Sequence, residues 1–163
     1  MLRHIGVSVV LFVSAIAISG CARSDAPAVA VDPRYLLPAA PADSIEVVDL
    51  KEKAKSGEKV SVSGRVGGGI KPWIEGRAAF ILVDSRAPLP SAECGPDCPH
   101  CAQEIAASSM VVKFVDESGK TIATDSRQLL GLKEEVEVVV SGVASRDQQG
   151  NVGLTASGIF IKR

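Results

Sequence analysis

The densest group of reactive side chains in this 163-residue chain is the run Cys94-Gly95-Pro96-Asp97-Cys98-Pro99-His100-Cys101. Three thiols, spaced C-x3-C-x2-C, share one short stretch with an imidazole. Thiolates are soft ligands that suit Zn, Cu(I) or iron–sulfur clusters. Cys98 and Cys101 make a workable chelate, because a tight turn can aim both sulfurs at one ion. Cys94, Cys98 and Cys101 together would suit Cu(I), whereas Zn would need a fourth ligand. His100 adjoins Cys101, so placing both on one metal contorts the backbone; Glu93, Asp97 or water would have to serve instead. A second chemistry is redox. Asp97 can cap a helix that begins at Cys98 and runs through Gln103 to Ala107. A thiol at a helix N-terminus, near an imidazole, has a lowered pKa and greater reactivity. A third reading is a disulfide that staples a long loop, leaving an odd cysteine for a partner chain or a buried thiol. The residue types leave all three open.

Two families carry similar motifs. Cys98-Pro99-His100-Cys101 resembles the active-site motif of periplasmic thiol oxidases. That family houses the motif in a thioredoxin fold with a later cis-proline loop, and no proline follows Pro99 here. The spacing of the three cysteines also matches the iron–sulfur motif of radical S-adenosylmethionine enzymes. Those enzymes use a large α/β barrel that a chain of this length cannot supply.

The elements around the run set its surroundings. Met1-Leu2-Arg3-His4 is a short cationic start, and an apolar run from Ile5 to Ile18 follows, too short for a membrane span and sized for a signal h-region. It ends in Ile18-Ser19-Gly20-Cys21. This resembles a bacterial lipoprotein signal, which implies removal of residues 1–20, acylation of Cys21 and a membrane anchor. The resemblance implies a cell-envelope location facing the periplasm, on the outer membrane where the host has one; Ala22, not Asp, follows the cysteine. Such a compartment is oxidising and permits disulfides. Residues 21–44 read as an Ala/Pro-rich tether. Within it, Arg34-Tyr35-Leu36-Leu37 is an apolar island expected to dock on the domain's flank.

Loss of residues 1–20 would take Arg3 and leave 17 Lys+Arg against 19 Asp+Glu, a net charge of −2. That balance argues against a polyanion binder. His4 would leave too, making His100 the sole histidine and excluding multi-histidine metal sites.

Residues 45–163 are expected to form one domain. Val47, Leu50 and Ala54 have helical spacing, and Gly57 stops the turn. Glu58 to Val66 alternates apolar and polar residues, the pattern of a half-buried strand. Gly67-Gly68-Gly69 breaks it; no Gly-Lys-Ser/Thr follows, so a loop is expected in place of a phosphate cradle. Trp73, beside Pro72, reads as a packing residue over a barrel mouth. Arg77 to Asp84 is a second, more buried strand. Residues 85–109 form a long insertion that contains the cysteines. Met110 to Asp116 is a third strand, and Thr121 to Thr124 is expected to pair back on it. Asp125 or Ser126 can cap a short helix ended by Gly131. Glu135 to Val143 is a fourth strand, Asp147 to Asn151 a hairpin turn, and Val152 to Ala156 with Ile159 to Ile161 the last.

Strand, strand, strand, short helix, strand, strand, with glycine inside the first, fourth and fifth strands, suits a small coiled barrel. The pattern resembles the OB-fold, of the kind related to tRNA-anticodon-binding barrels. Val60–Val66, Phe80–Asp84, Leu129–Leu132, Val138–Gly142 and Asn151–Ile161 carry the resemblance. It implies a mainly β, five-stranded Greek-key barrel, with a helix between strands three and four and the cysteine loop between two and three. Many OB-folds bind oligonucleotides across the second and third strands through aromatic stacking in a basic groove. Here those strands offer only Phe80 and Phe114, either of which can face the core, so nucleic acid is disfavoured. A periplasmic haem chaperone of the same fold uses a histidine near its C-terminus, and none follows Phe160 here. Glu75 with Arg77, and Asp116 with Glu117, read as ordinary solvated charges, and no Gly-x-Ser-x-Gly elbow appears. The expected function is a lipid-anchored envelope binding module for a small ligand or an envelope protein, and no enzyme. The alternative is a thiol–disulfide or metal-delivery protein acting through Cys98 and Cys101.

Overall fold

Each strand of this chain has one apolar face to bury, and the faces meet inside a closed barrel. The computed structural model describes residues 31–68, 71–89 and 98–162; Cys21 and Cys94 lie outside them. In chain order the elements are β1 (Ser44–Glu46), α1 (Val47–Lys53), β2 (Lys59–Val66), β3 (Ala79–Val83), α2 (Pro99–Ala107), β4 (Ser109–Phe114), α3 (Ser126–Leu130), β5 (Glu137–Arg146) and β6 (Val152–Ile161). The barrel runs β2-β3-β4-β6-β5 and closes back on β2. Its pairings are antiparallel, except that β4 and β6 run parallel. This is a closed, mixed, five-stranded barrel of OB-fold type, as the strand order predicts, with α3 between the third and fourth barrel strands.

Alternation fills the interior. Val62, Val66, Phe80, Leu82, Val112, Phe114, Val138, Val140, Leu154 and Ile159 are all fully buried. Phe80 and Phe114 therefore both face the core. At about 25 cal/mol per Å² of apolar area removed from water, these side chains are the main favourable term. Two glycines permit the tight coiling. A Cβ on Gly64 would lie 2.7 Å from the Val83 carbonyl oxygen, where β2 leaves β5 and turns toward β3. A Cβ on Gly142 would run into the Thr155 backbone and sit 2.9 Å from Ala156 Cα. The β5–β6 register shifts at that point, between Ser141 and Gly142, so the bulge needs a residue without a side chain.

The local helix signals hold. The Asp125 carboxylate accepts from the Arg127 N–H at the start of α3, and Gly131 ends the helix in the left-handed region at φ 67°. α1 starts at Val47 and buries Val47 and Leu50. Trp73 packs against the core, and its indole N–H donates to Glu134 Oε1 at 2.9 Å.

Three features differ from or go beyond the sequence pattern. β1 adds a short parallel strand beside β2, pairing Ser44–Glu46 with Ser61–Ser63. Residues 121–124 pair back on the end of β4 only through the bridge Val115–Thr121 and the Ile122 N–H donated to the Phe114 carbonyl at 3.1 Å, and form no strand. The Asp116 carboxylate explains the loss: it gathers the N–H groups of Ser118 and Lys120, and the chain then leaves so that Ile122 accepts from the Ala78 N–H. The third feature is the apolar island before β1. Leu37 N–H donates to the Ile159 carbonyl at 2.8 Å, and Asp32 N–H to Leu129 at 2.9 Å. Tyr35 sets its ring edge-on to Phe114, with centroids 5.2 Å apart. Residues 32–37 thus strap one end of the barrel, and Arg34 to Leu37 docks on the flank as the sequence predicts.

Candidate functional site

The cysteine insertion contributes one helix, α2, and its start follows from proline chemistry. Pro99 occupies the first turn, where its missing N–H costs nothing, and Cys98 takes the N-cap position with extended backbone (φ −65°, ψ 115°). The helix begins one residue later than the pattern around Cys98 predicts, because proline fixes the first helical position. Cys98 and Cys101 are both half-buried. They bracket the first turn of α2, at its N-cap and in its opening residues. Asp97, expected as the cap, lies outside the described residues.

Ile105, only 5% exposed, fastens the helix to the barrel. The far end is fastened by Lys51. Its ammonium donates to the carbonyl oxygens of Ala106 at 3.1 Å, Ala107 at 2.7 Å and Ser109 at 3.0 Å. A cation on these open carbonyls complements the helix C-terminus, while burial pulls the Lys51 pKa down. His100 points elsewhere. Its side chain is 79% exposed, and Nδ1 lies 3.6 Å from Glu104 Oε1. So the fold brings Cys98 and Cys101 to one helix end and does not add His100 to a ligand set. Among the described residues no group of three or more His, Cys, Asp or Glu side chains could hold a metal ion. The third thiol of the sequence motif, Cys94, falls outside those residues. No described helix is long and apolar enough to cross a membrane.

Three connections around the barrel, one of them at the start of the insertion, are held by a repeated device absent from the sequence reading. Asp32-Pro33-Arg34, Asp84-Ser85-Arg86 and Asp125-Ser126-Arg127 all form the same clasp. In each, the carboxylate accepts both from the N–H two residues on and from that arginine's guanidinium. The guanidinium holds each carboxyl below its ordinary range, that of Asp125 at about 2. Asp84 is 1% exposed and also accepts from the Val48 N–H at 2.9 Å. It thereby joins the end of β3 to the first turn of α1. Glu46 completes this junction by accepting from the Ser85 N–H and hydroxyl. The signal in the sequence was Asp-x-Arg, three times over.

The barrel exterior carries two depressions of note. One, of about 630 Å³, lies over β2 and β5. Its wall mixes Asp43 and Glu58 with Lys59, and its Ser61 and Ser141 hydroxyls bond each other at 2.9 Å. The other, of about 400 Å³, lies on the outer face of β3 and β4. Ile74, Ala79 and Val111 supply its apolar surface, and Arg77, Lys113 and Lys120 its charge. No acidic side chain lines it. None of the three cations forms an ion pair among the described residues. Glu75, two residues before Arg77, pairs with Arg127 at 2.6 Å and not with Arg77.

Register separates this groove from the thiols. Ala79 pairs with Lys113 at one end of the β3–β4 ladder, and Val83 with Ser109 at the other. α2 enters at the Ser109 end. The two chemistries of the molecule therefore occupy opposite ends of one hairpin.

A scan against protein-family models and a search of curated proteins gave no match to this chain.

Proposed function

We propose that the protein is a lipid-anchored, envelope-facing binding module that takes its ligand on the outer face of β3 and β4. The observation that carries this reading is the groove of about 400 Å³ on that face, apolar at Ile74 and Val111 and ringed by three cations without acidic partners. Its size falls within the roughly 300–1,000 Å³ of small-molecule sites. Val111 and Ile74 are among the exposed large hydrophobic residues, at 43% and 39%, which solvent alone does not favour at neighbouring positions. Anchorage through Cys21 is supported by the lipoprotein-like start of the chain, and the Ala/Pro-rich residues that follow would carry the barrel clear of the bilayer.

Two measurements test it. Cells expressing the full chain are fed an alkyne-tagged palmitate: the wild type incorporates the label and fractionates with membranes, and Cys21→Ala does neither. An extract of envelope small molecules is then screened by thermal shift. The wild type is stabilised by at least one component, and Val111→Glu, with an unchanged melting temperature of its own, is not. Equal responses from the two would sink the assignment of the face.

A second reading attaches to the thiols, because Cys98 and Cys101 bracket the first turn of one helix. In it the cysteine loop is a staple or a soft-metal site for Zn or Cu(I), or a dithiol exchanging with protein disulfides. Elemental analysis and thiol counting on protein purified without oxygen separate these. About one metal per chain, lost in Cys98→Ser with Cys101→Ser, supports the metal site. No metal and a single titratable thiol supports the staple. A strongly oxidising reduction potential supports exchange.

A further inference from the structure

We infer that the ligand of the β3–β4 face is a single-chain anionic amphiphile, an aliphatic body bearing one carboxylate or phosphate. This rests on the reading of that face as the binding surface.

The charge comes first. Arg77, Lys113 and Lys120 reach the groove from three separate stretches: the turn before β3, β4 itself and the turn after it. The cross-strand pair Ala79–Lys113 puts a cation directly opposite the smallest apolar residue of the groove. Of the two acids just before Lys120, Glu117 does not line the groove, and Asp116 has its Oδ1 taken by the Ser118 N–H and hydroxyl and by the Lys120 N–H. It serves the turn and contributes nothing to the groove wall. The cations are thus left with positive potential over an apolar patch, which an anion with an apolar body complements.

The shape of the apolar part comes second. No aromatic side chain lines the groove. Trp73, beside Ile74, is engaged elsewhere, under the Arg127 guanidinium and bonded to Glu134. Phe80 and Phe114 are fully buried. A nucleobase or aryl ligand would find no stacking platform. The branched side chains of Ile74 and Val111 offer instead a surface on which methylene groups leave water. The groove is also too small to be the track of an extended polymer.

The test uses residues 22–163, which keep every described residue, including the closed barrel and its strap, and need no detergent. Octanoate and octyl phosphate are titrated against the neutral analogue 1-octanol, inorganic phosphate and a deoxythymidine decamer. Binding is read from the methyl NMR signals of Ile74 and Val111 and from Trp73 fluorescence, the single tryptophan of the chain. The expected result is saturable binding of octanoate or octyl phosphate at least tenfold tighter than 1-octanol and phosphate. Lys113→Gln with Lys120→Gln should weaken it at least tenfold, and Val111→Ser several-fold, with melting temperatures retained. Octanol binding as tightly as octanoate, or indifference to the double lysine variant, overturns the inference while leaving the face as a binding surface. Preference for the decamer overturns it in favour of nucleic acid. If the envelope-extract screen shows no difference between wild type and Val111→Glu and none of these probes moves the two methyl signals, the reading of the face falls as well.

Discussion

Asp125 serves three ends with two oxygens. It caps α3 through the Arg127 N–H at 2.9 Å, holds the Arg127 guanidinium at 2.7 Å, and takes the Gly76 N–H at 3.4 Å. Its side chain is 10% exposed, so the arrangement should register in stability. The arginine's bonds hold its pKa at about 2, against about 3.9 for an unfolded chain. A depressed folded value means that the unfolded state takes the proton first. The contribution of Asp125 is therefore complete above about pH 4 and lost as pH falls toward 2. Asp125→Ala should cost about 1–2 kcal/mol at pH 7 by urea denaturation, the scale of a lost N-cap. Asp125→Asn should keep much of the cap and flatten the acid limb of the stability profile. A variant whose acid limb matched the wild type would show that other carboxylates govern it. The Asp-x-Arg spacing stands in plain view at Asp32, Asp84 and Asp125, yet its meaning does not. The pair becomes a clasp at the start of a helical turn, as at Asp32 and Asp125, or just past the end of a strand, as at Asp84, and those boundaries depend on long-range strand pairing.

Among the elements, α2 shows how a loop that bears two cysteines is kept in place. Among the contacts that hold it to the barrel are one buried isoleucine, one lysine from α1 and the Asp84 N–H donated to the Ser108 carbonyl. Lys51→Met keeps the stem's packing and removes the ammonium, leaving the carbonyls of Ala106, Ala107 and Ser109 without their donor. Amide exchange across Ile105–Ser108 should then quicken about tenfold, as fits the loss of charge-assisted bonds at a helix end, while protection in β5 and β6 stays unchanged. Uniform loss of protection would mean that Lys51 supports the whole barrel. The helix itself was legible as a run from Cys98 to Ala107, while its N-cap falls on Cys98, the residue read as the helix start. So were β2, from the alternation of Lys59–Val66, and α3, from Asp125 and Gly131. β1 was not: three residues carry no periodicity, and Ser44–Glu46 is a strand only because β2 offers an edge. The β3–β4 groove was equally hidden. Ile74, Arg77, Val111, Lys113 and Lys120 become neighbours through the register Ala79–Lys113, which no local pattern encodes.

For the molecule as a whole, the strap of residues 32–37 decides how well the barrel is sealed. Beyond the reach of β4, the outer edge of β6 is covered by Leu36 and Leu37. Gly158 makes room for the strap, as a Cβ there would lie 2.7 Å from Leu37 Cδ2. Tyr35 covers Phe114 at the barrel end. Tyr35→Ala should lower stability by about 2 kcal/mol, read from the urea midpoint at constant m-value, since a half-buried ring is lost from the edge of the core. An unchanged midpoint would make the strap an ornament of the barrel and not a part of it.

The parallel contact between β4 and β6 has a consequence in time. Both seams that close the barrel, β2 with β5 and β4 with β6, join strands far apart in the chain. During synthesis or export β6 is the last of the five barrel strands to emerge, and neither seam can be completed early. β3 and β4, joined by the cysteine insertion, are available long before. The connection that carries Cys98 and Cys101 is therefore made while the barrel is still open, before either closing seam is complete.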